Sequence, residues 1–156
     1  MKRTALDILN EKNRQMLTVP STTTVYEAVQ VMAEKRVGAI LVQDDDKIVG
    51  IWTERDLMYR VQEVGFDPQT EQLSHSMTRN LISAKSTENT FQLYDKFLGR
   101  RIRHLLIEED GEYIGLVSVG DVMRAALQEK ADEVKDLNEM VSMEYYENWK
   151  VTKQEN

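Results

Sequence analysis

Apolar positions along the chain switch between helical and strand spacing in an order that occurs twice. Near the start, Ala5, Leu6, Ile8 and Leu9 lie at helical spacing, so residues 4–14 are expected to form a short amphipathic helix. Residues 16–19 read as a strand, followed by a turn at Pro20, Ser21, Thr22 and Thr23. Thr24 or a neighbour then caps a helix whose inward face is Val25, Ala28, Val29 and Met32, ending near Arg36. Two apolar runs, 38–42 and 47–52, flank the polar stretch Gln43, Asp44, Asp45, Asp46 and predict a hairpin. A further helix is expected from after Thr53 to about Val64, which makes the unit β-α-β-β-α.

Gly65, Phe66, Asp67 and Pro68 end that helix, and 69–77 is read as a polar linker with room for one helical turn. The order then restarts. Residues 81–84 predict a strand, 90–100 a helix facing inward through Leu93, Tyr94 and Phe97, and 103–107 with 113–118 a hairpin around Glu109, Asp110 and Gly111. Here Gly120 is read as a tight turn, with the last helix opening at Gly120 or Asp121. Its apolar positions continue through Val122, Ala126, Val134, Leu137, Val141, Tyr145 and Trp149, so this helix is expected to run well past its counterpart, with a bend near Asp132. Together with Met140, Met143 and Tyr146 this face needs a cover, either its own chain or a second copy.

The two halves superimpose at a single offset of 65 residues, which lays Gly50-Ile51-Trp52-Thr53-Glu54-Arg55-Asp56 on Gly115-Leu116-Val117-Ser118-Val119-Gly120-Asp121. Under that offset Leu17 falls on Ile82, Thr18 on Ser83, Ser21 on Ser86, Thr22 on Thr87, Arg36 on Arg101, Val37 on Ile102, Asp45 on Asp110 and Met58 on Met123. No gap is needed. Internal duplication follows, and the 156 residues read as two small units sharing an interface.

Composition narrows the function. A chain 41% hydrophobic and 30% charged can bury a core, and it contains no apolar run long enough to span a bilayer. The opening Met1-Lys2-Arg3-Thr4-Ala5-Leu6-Asp7 lacks the apolar region of a secretory signal, so a cytoplasmic location is expected. No cysteine is present, which removes disulfides, thiolate metal sites and cysteine nucleophiles, and leaves only His75 and His104 as imidazoles. These histidines have no evident carboxylate partner, and no spaced ligand series follows Asp44, Asp45 and Asp46. Neither a phosphate-loop signature nor a dinucleotide-binding glycine fingerprint occurs, and no metal site or enzymatic activity is expected. A net charge of −7 argues against general affinity for nucleic acid or anionic membranes while leaving room for a local basic pocket.

The repeated strand end carries the candidate chemistry. A hydroxyl at Thr53 or Ser118 ends the strand, and the helix that opens after it presents unpaired N–H groups that attract phosphate oxygens. The carboxylate of Asp56 or Asp121 can accept hydrogen bonds from the paired hydroxyls of a ribose. The plainer use of the same residues is to cap the helix.

Paired β-α-β-β-α units, each closing on Gly-apolar-x-Thr/Ser-x-x-Asp, resemble the cystathionine-β-synthase (CBS) domain, and the tandem resembles the pair called a Bateman module. Glu34-Lys35-Arg36-Val37-Gly38-Ala39-Ile40-Leu41-Val42, Thr53-Glu54-Arg55-Asp56 and Arg101-Ile102-Arg103-His104-Leu105 are similar to small bacterial stand-alone CBS proteins. The resemblance implies an α/β (α+β) fold in which two units pack by their sheets around a pseudo-twofold. Residues 1–15 would form an N-terminal helical segment, 16–65 the first unit, 66–77 a linker, 78–130 the second unit and 131–156 a C-terminal helical extension.

Two clefts follow from the same resemblance. The first would combine Thr53, Arg55 and Asp56 with Leu81, Ile82, Ile102, Arg103 and His104. The second would combine Ser118, Gly120 and Asp121 with Leu17, Thr18, Val37, Gly38 and Ala39. Each could sandwich an adenine between strand residues, and the first, richer in basic side chains, is favoured for a charged nucleotide. Trp52 is expected to pack in the core, with stacking on a base as its alternative. The implied function is regulatory: AMP, ADP or ATP bound without catalysis, with S-adenosylmethionine or NAD ranked behind them. The alternative is a ligand-free dimerisation or interaction scaffold acting through the C-terminal helix. A homodimer is expected, with an unidentified regulated protein as a further partner and neither nucleic acid nor membrane among the partners.

Overall fold

The computed structural model of the chain describes residues 2–13 and 15–154, and the side chains of these as far as Met143. Its elements in order are α1 (Ala5–Lys12), β1 (Thr18–Val19), α2 (Val25–Lys35), β2 (Ala39–Asp44), β3 (Lys47–Thr53), α3 (Glu54–Arg60), α4 (Leu73–Ser76), β4 (Ser83–Lys85), α5 (Thr90–Arg100), β5 (His104–Glu109), β6 (Glu112–Ser118) and α6 (Val119–Gln154). They make two three-stranded sheets, β1-β2-β3 and β4-β5-β6. In each the first strand runs parallel to the middle one and the third antiparallel to it.

The duplication extends to the fine structure. Leu41 pairs with Thr18 and Ile51, and Leu106, its counterpart, pairs with Ser83 and Leu116. A register shift falls between Val42 and Gln43 in one hairpin and between Ile107 and Glu108 in the other. Helices α2 and α5 both end on an arginine in the left-handed conformation, Arg36 and Arg101. Each also begins with a capping box, Thr24 with Glu27 and Asn89 with Gln92, satisfying N–H groups that would otherwise be orphaned.

Strand alternation explains how both sheets are buried. Ile40 and Val42 point to one face and pack with Val25, Ala28 and Met32 of α2, and Leu105 and Ile107 do the same with Leu93 and Phe97 of α5. Leu41 and Leu106 lie on the opposite faces, yet they are 0% and 2% exposed, so each sheet is covered on both sides as packing of one unit on the other requires. Trp52 is fully buried in the first core with its Nε1 donating to Ser76 Oγ at 3.1 Å, which settles it as a packing residue.

The segments ahead of each unit exchange places. Helix α1 docks on the second unit: Ala5 and Ile8 join the core of Leu93 and Phe97, and the Ala5 amide donates to the Glu88 carbonyl at 2.7 Å. The segment around α4 docks on the first unit, with Leu73 and Met77 in the core beside Trp52 and the Leu73 amide donating to the Thr23 carbonyl at 2.9 Å. These contacts give the motif glycines their role. A Cβ on Gly50 would stand 2.5 Å from Met77 Sδ, and one on Gly115 would stand 2.5 Å from Leu9 Cδ2.

Three expectations need correction. Helix α3 ends at Arg60 rather than near Val64, because Val61 and Val64 are 64% and 106% exposed and no core holds that turn. Gly120 is not a turn: α6 opens at Val119, whose amide donates to the Arg103 carbonyl at 3.0 Å, and Gly120 is helical. Past Asp132, α6 continues as one helix to Gln154. Ala125, rather than Ala126, is the buried alanine of α6. From Val134 to Met143 the apolar side chains of α6 are exposed, and those of Tyr145, Tyr146 and Trp149 lie outside the described residues. Among the described residues no helix is long and apolar enough to cross a membrane.

Candidate functional site

Strand β3 ends on Thr53, and the first turn of α3 brings Arg55 and Asp56 to the same end of the sheet. From the second unit, the left-handed cap at Arg101 swings the chain into Ile102, Arg103 and His104 at the start of β5. These segments enclose one cleft of about 180 Å³ lined by Ile51, Thr53, Arg55, Asp56, Thr78, Arg101, Ile102, Arg103 and His104. Six of the eight residues expected there are thus brought together. Leu81 and Ile82 are not among the lining residues; Ile82 packs against the second core and its carbonyl accepts the Leu106 amide.

Three lining residues escape the sequence reading. Arg101 was named as the repeat partner of Arg36 and as the start of a family-like stretch but not as a cleft residue, and its position in the cleft depends on the cap geometry. Thr78 and Ile51 exchange two backbone hydrogen bonds, at 2.9 and 3.0 Å, which carries the end of the α4 segment into the cleft wall.

Both uses envisaged for Asp56 are compatible. Its Oδ2 accepts from the Thr53 amide at 2.8 Å and the Thr53 hydroxyl at 2.9 Å, which is the capping role. Among the described residues Oδ1 has no hydrogen-bond partner and Asp56 makes no ion pair, so one oxygen remains for a ligand hydroxyl. Arginines line the cleft from both units. Arg55 and Arg101 form no ion pair among the described residues, whereas Arg103 Nη2 lies 3.1 Å from Glu54 Oε1 in a pair that joins the two units. Burial, reinforced by the positive charge of Arg103 and Lys12 and opposed by Glu54 and Asp121, holds His104 below the ordinary imidazole range. His104 is therefore a neutral donor or acceptor at pH 7.

Among the described residues, those expected in the second cleft line two separate depressions. Leu17 and Val37 line a depression with Gln15, Met16, Glu34 and Lys35, while Asp121 lines a separate one of about 200 Å³ with Arg3, Ile8, Glu11 and Lys12. Thr18, Gly38, Ala39, Ser118 and Gly120 line neither. Thr18 and Ala39 are engaged in the sheet, and the Gly38 carbonyl accepts the Glu54 amide at 3.1 Å. A cation sits where the sequence suggested none: Lys12 Nζ donates to Asp121 Oδ2 at 2.8 Å and to the Leu116 carbonyl at 3.1 Å. Asp121 Oδ2 also accepts from the Ser118 amide and hydroxyl at 2.9 and 2.8 Å. Burial raises this carboxyl, but Lys12 and Ser118 outweigh that and hold it below the usual carboxylate range.

A family model described as the CBS domain matches residues 5–63 and 71–128. Over 112 residues the chain is 34% identical to the Arabidopsis thaliana CBS domain-containing protein CBSCBSPB1, covering 71% of this chain and 21% of that one, so it spans about a fifth of that relative's length. Over 111 residues it is 33% identical to the CBS domain-containing protein YhcV of Bacillus subtilis, covering 69% and 76%. Among solved structures, a CBS-domain containing protein from Agrobacterium tumefaciens superposes with a TM-score of 0.76 at 34% identity, covering 81% and 95%. The CBS domain pair of protein MJ0100, solved in complex with 5-methylthioadenosine and S-adenosyl-L-methionine, superposes at 0.71 with 21% identity, covering 83% and 99%, and shows the likeness of fold. Two matched units, a shared pair architecture and a cleft built from both halves lead to one conclusion: the chain belongs to the CBS domain family and carries two CBS domains in tandem.

Proposed function

We propose that this CBS pair binds an adenine nucleotide, AMP, ADP or ATP, in the first cleft without turning it over, and that occupancy changes how the two units pack. The observation that carries the reading is the composition of one cleft from both units: an Asp56 carboxylate oxygen with no hydrogen-bond partner among the described residues, in a cleft whose lining includes Arg101, Arg103 and His104. The carboxylate suits a ribose diol and the arginines suit phosphate. A ligand touching both walls has different affinity for different arrangements of the units, which is the requirement for a switch. The bound adenosyl compounds of the MJ0100 pair support the ligand class, and the arginines favour phosphate-bearing members of it over cationic S-adenosylmethionine.

Titration calorimetry with AMP, ADP, ATP, S-adenosylmethionine and NAD tests this. Saturable binding of a phosphate-bearing nucleotide, weakened at least tenfold by Asp56→Ala, is expected, since a charge-assisted hydrogen bond is worth about 1.5–3 kcal/mol. Absence of binding across the panel by protein freed of carried-over ligand overturns it. That result would favour the second reading, a scaffold acting through α6, whose Val134, Leu137, Met140, Val141 and Met143 are all more than half exposed. The same stripe supports self-association, and a homodimer is the proposed assembly.

A further inference from the structure

The duplication fails at one place that matters for ligand binding. Leu9 and Met77 occupy equivalent positions, each lying against a motif glycine. Beyond them the two segments diverge. Helix α1 continues one turn to Lys12, whereas α4 has stopped at Ser76 and Thr78 is paired with Ile51. The extra turn delivers Lys12 Nζ to Asp121 Oδ2 and to the Leu116 carbonyl, and nothing among the described residues makes the corresponding ion pair with Asp56. The lysine is held in place from its own helix, which is capped by Thr4 and Asp7 and anchored through Ala5 and Ile8. Its contact is sheltered, with the side chains of Lys12 and Asp121 24% and 14% exposed.

We propose that Lys12 is an internal occupant of the second cleft, so that this chain takes one nucleotide in the first cleft and is closed to a second while α1 is docked. The proposal rests on the reading of the first cleft given above for its ligand class, but its mechanism is independent of it. A ribose hydroxyl approaching Asp121 would meet an oxygen already accepting three hydrogen bonds, and Arg124 Nη1 stands 3.6 Å from the other oxygen. A diol that engages both oxygens of Asp121 therefore has to displace an ammonium group from a sheltered ion pair at Oδ2, and neutral hydroxyls are the weaker partners for a carboxylate. Asp121 is held below the usual carboxylate range, as expected of a carboxylate kept charged by this internal cation.

The test is the stoichiometry of ADP binding by calorimetry on the intact chain. Wild type is expected to bind one ADP, lost or weakened at least tenfold by Asp56→Ala. Lys12→Ala is expected to bind two, and the added site should survive Asp56→Ala and disappear on Asp121→Ala. Lys12→Gln, which removes the charge but keeps a donor for the Leu116 carbonyl, should open the added site if α1 does not tolerate alanine. Wild type binding two ADP, both Lys12 variants binding no additional ADP, or a Lys12 variant losing affinity because the ammonium itself holds phosphate, would each overturn the proposal. Loss of the first site alone is a separate result: no ADP in wild type but one in Lys12→Ala would reject the proposed function while upholding the closure of the second cleft.

Discussion

Arg103 and Glu54 join the two CBS units beside the first cleft, with Nη2 of one 3.1 Å from Oε1 of the other. The pair is exposed on both sides, so its contribution to folding is small and screened by salt. Its consequence for binding is larger in kind, because Glu54 competes with a ligand phosphate for the guanidinium. Glu54→Ala is expected to strengthen nucleotide binding by about two- to fivefold at low salt, the scale set by an exposed pair. Arg103→Ala should weaken binding and remove the benefit of Glu54→Ala. Calorimetry on the two variants and their combination checks this, and additive effects would show that Glu54 acts elsewhere than through Arg103.

His104 supplies a pH dependence with a defined sign. Burial and Arg103 depress its proton affinity in the free protein, so the unfolded chain binds the proton more readily than the folded one. This residue's contribution to stability is present above the ordinary imidazole pKa and is lost as pH falls toward the depressed value. A phosphate dianion in the cleft would add negative charge and draw the pKa back up. Nucleotide binding should therefore take up a proton and tighten as pH is lowered from about 8 toward the ordinary imidazole value of about 6.5. Calorimetry in buffers of different ionisation enthalpy measures the uptake, and His104→Gln should abolish the part not due to the nucleotide itself. Equal uptake in both proteins would exclude His104 as its source.

The two hairpin turns differ in a way that predicts a stabilising substitution. Asp45 and Asp46 have φ values of 48° and 61°, and Asp110 and Gly111, their counterparts, have 50° and 86°. Both pairs occupy the left-handed region that a two-residue hairpin favours, but only the second has glycine at the second position. Asp46→Gly is expected to raise stability by about 0.5–1 kcal/mol, and Gly111→Ala to lower it by about 1 kcal/mol or more. Denaturant midpoints at unchanged m-value measure both. A lower midpoint for Asp46→Gly would mean that the aspartate side chain supports its turn.

Why the sequence revealed the pair of units but not the contact between Lys12 and Asp121 is a matter of which interactions repeat. Helices α2 and α5 carry their own caps and apolar faces, and the hairpins carry their own turn residues, so local rules place them and the 65-residue offset checks them. Thr53 and Asp56 stood out as the end of a repeated strand, whereas Arg103 and His104 were named only through the resemblance to CBS domains. Leu73 and Met77 were read as linker since their stretch is polar on average, although both are core residues. Lys12 left no signal at all: its partner lies 109 residues away, on a unit that α1 precedes by a whole repeat, and its extra helical turn has no counterpart from which to infer it.

The C-terminal helix separates into a docked part and an exposed part, and the boundary can be located. Val122 and Ala125 are the α6 residues of the second core, and Glu129 is a further clasp, accepting from the Arg3 amide and the Thr90 hydroxyl. Beyond it the described contacts to the body thin to Arg3 Nη2 with Asp132 Oδ2 at 3.7 Å, the aspartate exposed and the arginine partly buried. Deleting everything after Lys130 keeps Glu129 and both cores intact, so the shortened chain should unfold cooperatively with a stability within about 1 kcal/mol of the full chain under dilute conditions, the loss expected for an exposed ion pair. It also removes Val134, Leu137, Met140, Val141 and Met143, the apolar stripe that the body of the molecule leaves in solvent. Sedimentation or light scattering should then show the full chain as a dimer and the shortened chain as a monomer at the same micromolar concentration. A shortened chain that still forms the dimer would place the contact on the CBS units themselves. One that fails to fold would make the exposed helix part of the fold, its stripe covered by a second copy without which neither chain is stable.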